Sequence, residues 1–415
     1  MAFLLPKRLF YFSANASCKS PFSMLKLRGN YYEVRFIMNK KEVLEIRKQY
    51  KPEECSITRI CGCYVNGNKE IVAQSKDAFL SLPEEEIFKY LTIFKQTLSG
   101  TIGKNLINME FPLEQEMPGG TQEFLLKLRN SKLQDDSLID DFYQKIIENY
   151  NYSENYYIIL IHVAYDIPGK SSDGSEMFDA SDEVYEYLLC SICPVHLSKE
   201  GLSYNPETNR IENRIRDWLI EAPAKGFLFP VFNDRSTDVH GVLYYSKQAE
   251  DLQPEFIENA LGCTFPMSAG SQKSTFHSVV MNTLGEECEY DVIRNIHESL
   301  NEIIEEAKDS PEPPVLTKPE MKRLLSNSGI TEERIETFDT NFDHIAGEKA
   351  EFLVTNIAET RKFSIETPDV VIKVNPERTD LVETKVINGK QCLVIEINDH
   401  VEVNGVPVRT VPIEE

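Results

Sequence analysis

Residues Tyr156–Tyr165 (YYIILIHVAY) form the longest apolar run in the chain, broken only by His162. The run is about half the roughly 20 residues that a membrane-spanning helix needs. It is rich in β-branched and aromatic residues, which pack well on a pleated surface. It therefore reads as a buried strand, and a buried strand requires neighbours. Val184–Val195, Gly226–Phe232 and Val239–Ser246 have matching composition and are expected to complete a central sheet with it.

The flanking segments switch to helical spacing. Val43, Ile46 and Tyr50 share one face of a helix that ends before Pro52. Ser56–Val65 is strand-like, and Asn66-Gly67 supplies the positive-φ positions of a tight hairpin. Ser81, Pro83 and Glu84 signal a helix start. Ile87, Leu91, Phe94 and Leu98 then recur at amphipathic spacing. Further helices are expected over Thr121–Asn130, Ser137–Tyr150, Ser268–Leu284 and Tyr290–Lys308. Asp309–Pro319 (DSPEPPVLTKP) holds four prolines and reads as a linker. Beyond it come two short helices, Lys318–Ser326 and Glu332–Ala346, and strands at Asp369–Val374, Val382–Ile387, Gln391–Ile397 and Glu402–Val408. Strands grouped apart from helices indicate an α+β fold. The expected form is a central mixed or antiparallel sheet with flanking helices, plus a small C-terminal domain of two short helices and an antiparallel sheet. The expected domains are residues 38–308 and 320–415, joined by 309–319.

Charge and cysteine content narrow the setting. A formal net charge of −23 disfavours binding of nucleic acid or anionic membrane by the whole surface. Nine scattered cysteines do not resemble a secreted disulfide framework and fit reduced thiols in a cytoplasm. Residues 1–37 stand apart, with six basic residues and one acid. The apolar stretch after Lys7-Arg8 is too short for a signal peptide. Met38-Asn39-Lys40-Lys41-Glu42 reads as a bacterial opening, so residues 1–37 are expected to be a non-native leader or disordered.

Several segments together carry a resemblance. ITRICGCYVNG (57–67), AFLSLPEEEIFKYL (78–91), TLSGTIGKNL (97–106), GGTQEFLLKLRNSKL (119–133), SICPVHLS (191–198), NRIENRIRDW (209–218), FNDRSTDVH (232–240), TPDVVIKVNPER (367–378) and VEVNGV (401–406) are the segments concerned. The chain resembles an uncharacterised bacterial family, domain of unknown function 4317, over nearly all of residues 38–415. The resemblance implies no activity, ligand or catalytic residue. Its layout of opening strand, helical middle and closing sheet is also similar to acidic nucleoid-associated bacterial proteins.

Motifs with a known mechanism are missing. Gly100-x-x-Gly103-Lys104-Asn105 has the wrong spacing for a phosphate loop and follows a helix, so it reads as a helix-terminating turn. Cys61-Gly62-Cys63 and Cys190-Ser191-Ile192-Cys193 lie in strand patterns. On a strand, i and i+3 face opposite sides, so Cys190 and Cys193 are expected to be buried thiols without a metal. The acidic loop Asp173–Glu183 lacks the alternating oxygens of a calcium site. His162 reads as a core histidine. No cofactor is implied.

The remaining candidate is the block from Cys190 to His240, which holds the only Trp, Trp218. Arg210 and Arg214, four apart, would share a helix face with Asp217 one turn on. With Arg216, Asn233 and Arg235 they form the candidate ligand-binding set, suited to a carboxylate or phosphate. Asp234, Asp238 and His240 are the candidate catalytic residues. The competing reading is a structural ion-pair network. The favoured function is non-enzymatic binding of a partner or anionic ligand by a cytoplasmic protein. The alternatives are a hydrolase- or transferase-like enzyme using residues 210–240, and a DNA-associated protein, for which no basic stripe is visible.

Overall fold

The computed structural model describes residues 24–27, 30–33, 38–170, 176–285, 288–397 and 400–408. The leader expected over 1–37 lies outside these apart from a hairpin, Met24–Leu27 with Asn30–Glu33. The tip of the acidic loop likewise lies outside them. Among the described residues eight strands form one sheet, all neighbours antiparallel. The chain supplies β1 (Ile57–Val65), β2 (Ile71–Ala78), β3 (Leu106–Glu110), β4 (Tyr156–Lys170) and β5 (Glu176–Leu197). A small hairpin follows, β6 (Leu202–Asn205) with β7 (Arg210–Asn213), then β8 (Trp218–Ile220) and β9 (Lys225–Phe229). A second hairpin, β10 (Val231–Asn233) with β11 (Ser236–Asp238), precedes β12 (Gly241–Ser246). The sheet order is β2-β1-β4-β5-β9-β12-β3, with β8 also paired to β5. The fold is α+β, as the grouping of strands and helices predicts.

The unbroken apolar run of β4 has a direct cause: both faces of the sheet are covered. Ile158 and Leu160, with Leu188, Cys190 and Ile192 of β5, enter one core. Ile159, Ile161 and Val163, with Tyr187 and Leu189, enter the other. The first core is closed by Leu125 and Leu128 of α3 (Thr121–Asn130) and by Ile139, Phe142 and Ile146 of α4 (Asp136–Asn149). The second is closed by Val43 and Ile46 of α1 (Lys40–Lys48) and by Leu91 and Phe94 of α2 (Glu84–Thr97). Phe94 is fully buried against Tyr50 and Phe79, and truncating such a ring costs about 3–5 kcal/mol.

The Pro-rich segment does not separate two cores. α5 (Ala269–Leu284) and α6 (Tyr290–Glu306) precede it; α7 (Lys318–Asn327) and α8 (Glu332–Ile345) follow it. Phe276, Val279, Ile296 and Leu300 share one cluster with Leu316, Met321, Phe338, Phe342 and Phe352. Val315–Leu316 even pairs as a strand with Phe352–Leu353. Across the segment expected as a linker at 309–319, the apolar faces of α5 and α6 share this cluster with the later helices. Towards the C-terminus the expected strands form three separate antiparallel pairs instead of a single sheet. Glu402–Val408, expected as one strand, folds back at Asn404-Gly405 into a hairpin, both residues taking positive φ. The edge strand β3, five residues long and interrupted by Asn108, is too short to announce itself in the sequence.

Candidate functional site

The structure divides the central polar block. After β5 the chain leaves the sheet, forms the β6–β7 hairpin, and returns as β8. Arg210 opens β7 and Arg214 follows it, so the shared helix face expected for them does not exist. Turn residues Asn205-Pro206 and Asn209, the last at φ +53°, favour a hairpin over a helix there. Arg216 closes the excursion: its Nε donates to the Ser198 carbonyl at 2.7 Å and its Nη1 to Glu200 at 2.7 Å. Arg210, Arg214 and Arg216 therefore belong to the excursion, away from Arg235.

Arg235 occupies the two-residue turn between β10 and β11, in which Asn233 pairs with Ser236. Asp234 and Arg235 both have left-handed backbone, φ +47° and +57°, a conformation costing roughly 1–2 kcal/mol for most L-residues. Two glutamates of α1 hold this turn. Glu42 accepts the Asp234 N–H at 2.7 Å through one oxygen, and through the other accepts Asn39 N–H at 2.7 Å, closing the helix capping box. Burial raises the Glu42 pKa, and its two backbone N–H donors oppose that shift. Glu45 accepts Arg235 Nη1 at 2.9 Å and the Tyr165 hydroxyl at 3.1 Å; Arg235 Nη2 donates to the Pro168 carbonyl at 2.9 Å.

The acid–base candidates are held to different degrees, and among the described residues the buried Asp238 Oδ2 has no hydrogen-bond partner. Asp238 Oδ1 accepts the His240 N–H at 2.9 Å, and His240 Nδ1 lies 2.8 Å from Glu116. Asp234 is tied to α1 through its backbone. Lys225 is also engaged: its buried ammonium meets Ser246 Oγ and the Asp251 carboxylate, both at 2.9 Å.

Glu45, Tyr165 and Pro168, the partners in this network, line a cavity of about 550 Å³ between α1 and β4, with Arg235 behind them. Lys41, Glu45 and Lys48 recur at i, i+4 and i+7, which places them on one helix face, and Lys51 follows the helix. Ser56, Tyr165, Asp166 and Pro168 line the opposite side. Glu45 is neutralised by Arg235, which leaves the ammonium groups of Lys41 and Lys48 on this wall, with Asp166 in the lining opposite. Among the described residues, neither Lys41 nor Lys48 has a carboxylate partner, and the buried Ser56 Oγ has no hydrogen-bond partner. Such a concavity can hold an anion through charge and a hydroxyl donor. Nothing in the sequence joins α1 to β4. The legible signal in the sequence is the Lys41–Glu45–Lys48 spacing.

The cysteine placement follows strand geometry. Cys190 faces one core with Cys61 and Cys63, and Cys193 faces the other. Burial pushes the thiols up, Cys61 to about 11 and Cys63 to about 12, so both stay protonated. Among the described residues no group of three or more His, Cys, Asp and Glu side chains is placed to hold a metal ion. His162 is fully buried, 2.8 Å from Thr58 Oγ1. No helix among the described residues is long and apolar enough to cross a membrane.

A family model described as a domain of unknown function, DUF4317, matches residues 38–406. No curated protein matches the chain.

Proposed function

The chain belongs to the DUF4317 family, a membership that assigns no activity, and on the geometry of the site we propose that it is a non-enzymatic protein that binds an anionic ligand. The carrying observation is the convergence of Lys41 and Lys48 on one cavity, with Glu45 occupied by Arg235. In a chain of net charge −23 such a cluster gives a locally positive concavity, and low-dielectric walls focus its field. Arg235, which is not in the lining, serves this reading by neutralising Glu45. Asp234, Asp238 and His240 do not line this cavity, which supports binding over catalysis there. We place the protein in the cytoplasm, where its free thiols remain reduced.

Calorimetric titration with inorganic pyrophosphate, and separately with citrate, tests the proposal and distinguishes phosphate from carboxylate recognition. A saturable heat is expected with at least one of them. It should weaken with added salt and fall at least tenfold in Lys41→Glu/Lys48→Glu, a loss of about 1.4 kcal/mol. Absence of saturable binding to either anion at low ionic strength refutes it, as does binding unchanged in the double variant.

A further inference from the structure

The β6–β7 hairpin is amphipathic in the wrong sense for a folded monomer. Tyr204 pairs with Ile211 and Leu202 with Asn213, so these four share one face. That face points to solvent, with Leu202 76% and Ile211 64% exposed. The opposite face, with Ser203, Asn205 and Glu212, is polar and half-buried. Ile215 (85% exposed) and the whole of β8, Trp218-Leu219-Ile220, extend the same apolar exposure. A lone two-stranded hairpin is marginal in water, and one that directs its apolar side outward gains nothing from burial.

A second feature coincides with the first. β8 pairs with the end of β5, Trp218 opposite Leu197 and Ile220 opposite Val195. Among the described residues its outer edge pairs with no strand. That edge offers unpaired backbone donors and acceptors, a template for another strand. An antiparallel edge can pair with its own copy about a two-fold axis, giving a self-complementary contact.

We propose that this face is where two copies of the chain meet, β8 against β8, with the apolar hairpin faces closing over the junction. Two further observations favour a second copy over another partner. Residues 198–220 carry four bases (Lys199, Arg210, Arg214, Arg216) and four acids (Glu200, Glu207, Glu212, Asp217). The excursion is thus neutral with both signs interspersed, so two copies meet there without the like-charge penalty that a chain of net −23 imposes elsewhere. The area also fits. With roughly 150–250 Å² for a large aromatic side chain and somewhat less for an aliphatic one, the exposed parts of these residues approach the about 800 Å² per partner of a standard interface. The inference does not depend on the lysine-lined cavity.

Sedimentation of the full chain through a micromolar dilution series tests it, with Trp218 as the sole tryptophan reporter. A dimer of twice the chain mass is expected, and tryptophan emission should move to longer wavelength as the dimer dissociates on dilution. Ile211→Glu and Ile215→Glu should each weaken dimerisation by roughly thirtyfold, as loss of an interface anchor does. Ile215 lies outside any strand and has little packing to lose, so its variant keeps the test valid if Ile211→Glu fails to fold. Val386→Glu, on an exposed C-terminal hairpin, should leave the dimer intact. A monomer at every concentration overturns the proposal. So does a dimer indifferent to both substitutions, or one dispersed by Val386→Glu instead.

Discussion

Arg235 donates through one nitrogen to both carboxylate oxygens of Glu45, at 2.9 and 3.1 Å, across 190 positions of sequence. The pair joins the first helix to a turn whose two central residues are in left-handed backbone. Only about a fifth of the Arg235 side chain and a quarter of that of Glu45 meet solvent.

Arg235→Gln should therefore destabilise the fold by about 2–3 kcal/mol, the range for a charge-assisted hydrogen bond whose buried partner is left behind. Arg235→Gly loses the same pair but relieves the positive φ, and should be less destabilised by about 1 kcal/mol. Urea denaturation of the two variants checks this. Equal stability in both would show that the turn carries no backbone strain.

Stability should fall in mild acid, in part through His162. Burial holds its pKa down at about 4, against an ordinary value of 6.5, while the nearby Glu186 partly offsets the shift. Between these values the unfolded chain binds a proton that the folded chain refuses. The contribution is complete above pH 6.5 and is lost as pH falls towards 4. Its size is about 3–4 kcal/mol, from about 1.4 kcal/mol per pH unit. Glu42, whose pKa burial raises, works in the opposite sense. The His162 share is therefore read as a difference: His162→Gln should lose less stability than the parent between pH 7 and pH 4.5. Parallel losses would exclude His162 as the origin.

Cys61, Cys63, Cys190, Cys193 and Cys263 are buried, whereas Cys288 is exposed. An alkylating agent should label Cys288 in the native protein and reach these five only on unfolding, because reaction needs an accessible thiolate. Peptide mass spectrometry resolves the sites. Native labelling at Cys190 would show that the sheet opens locally.

Limited trypsin digestion should cut after the exposed Lys308, yet the two pieces should co-elute on gel filtration and part only in denaturant. The reason is the shared cluster of Phe276, Leu300, Met321 and Phe342. A fragment of residues 38–308 that elutes alone would show that this core does not need α7 and α8.

What the sequence determined by itself was local. The Tyr156–Tyr165 run announced the central strand, since apolar, β-branched segments have little use outside a buried sheet. Period-3.6 spacing located Val43, Ile46, Leu91 and Phe94 on the inward faces of α1 and α2, because backbone geometry alone places i, i+4 and i+7 together. The opposite facing of Cys190 and Cys193 followed in the same way from strand geometry. What needed tertiary structure was everything that joins distant segments. The helical reading of Arg210 and Arg214 failed because turn chemistry at Asn205–Asn209 and pairing with β6 outweighed a spacing that suits a helix equally well. The Pro-rich segment looked like a boundary because composition reports chain stiffness and exposure, whereas the partner of an apolar face is a matter of packing. The pairing of Glu42 with Asp234 and of Glu45 with Arg235 left no local trace. A carboxylate on a helix reads as solvated surface until the fold brings a guanidinium within 3 Å, and that approach is set by how β4, β10 and α1 stack, a relation that no local periodicity encodes.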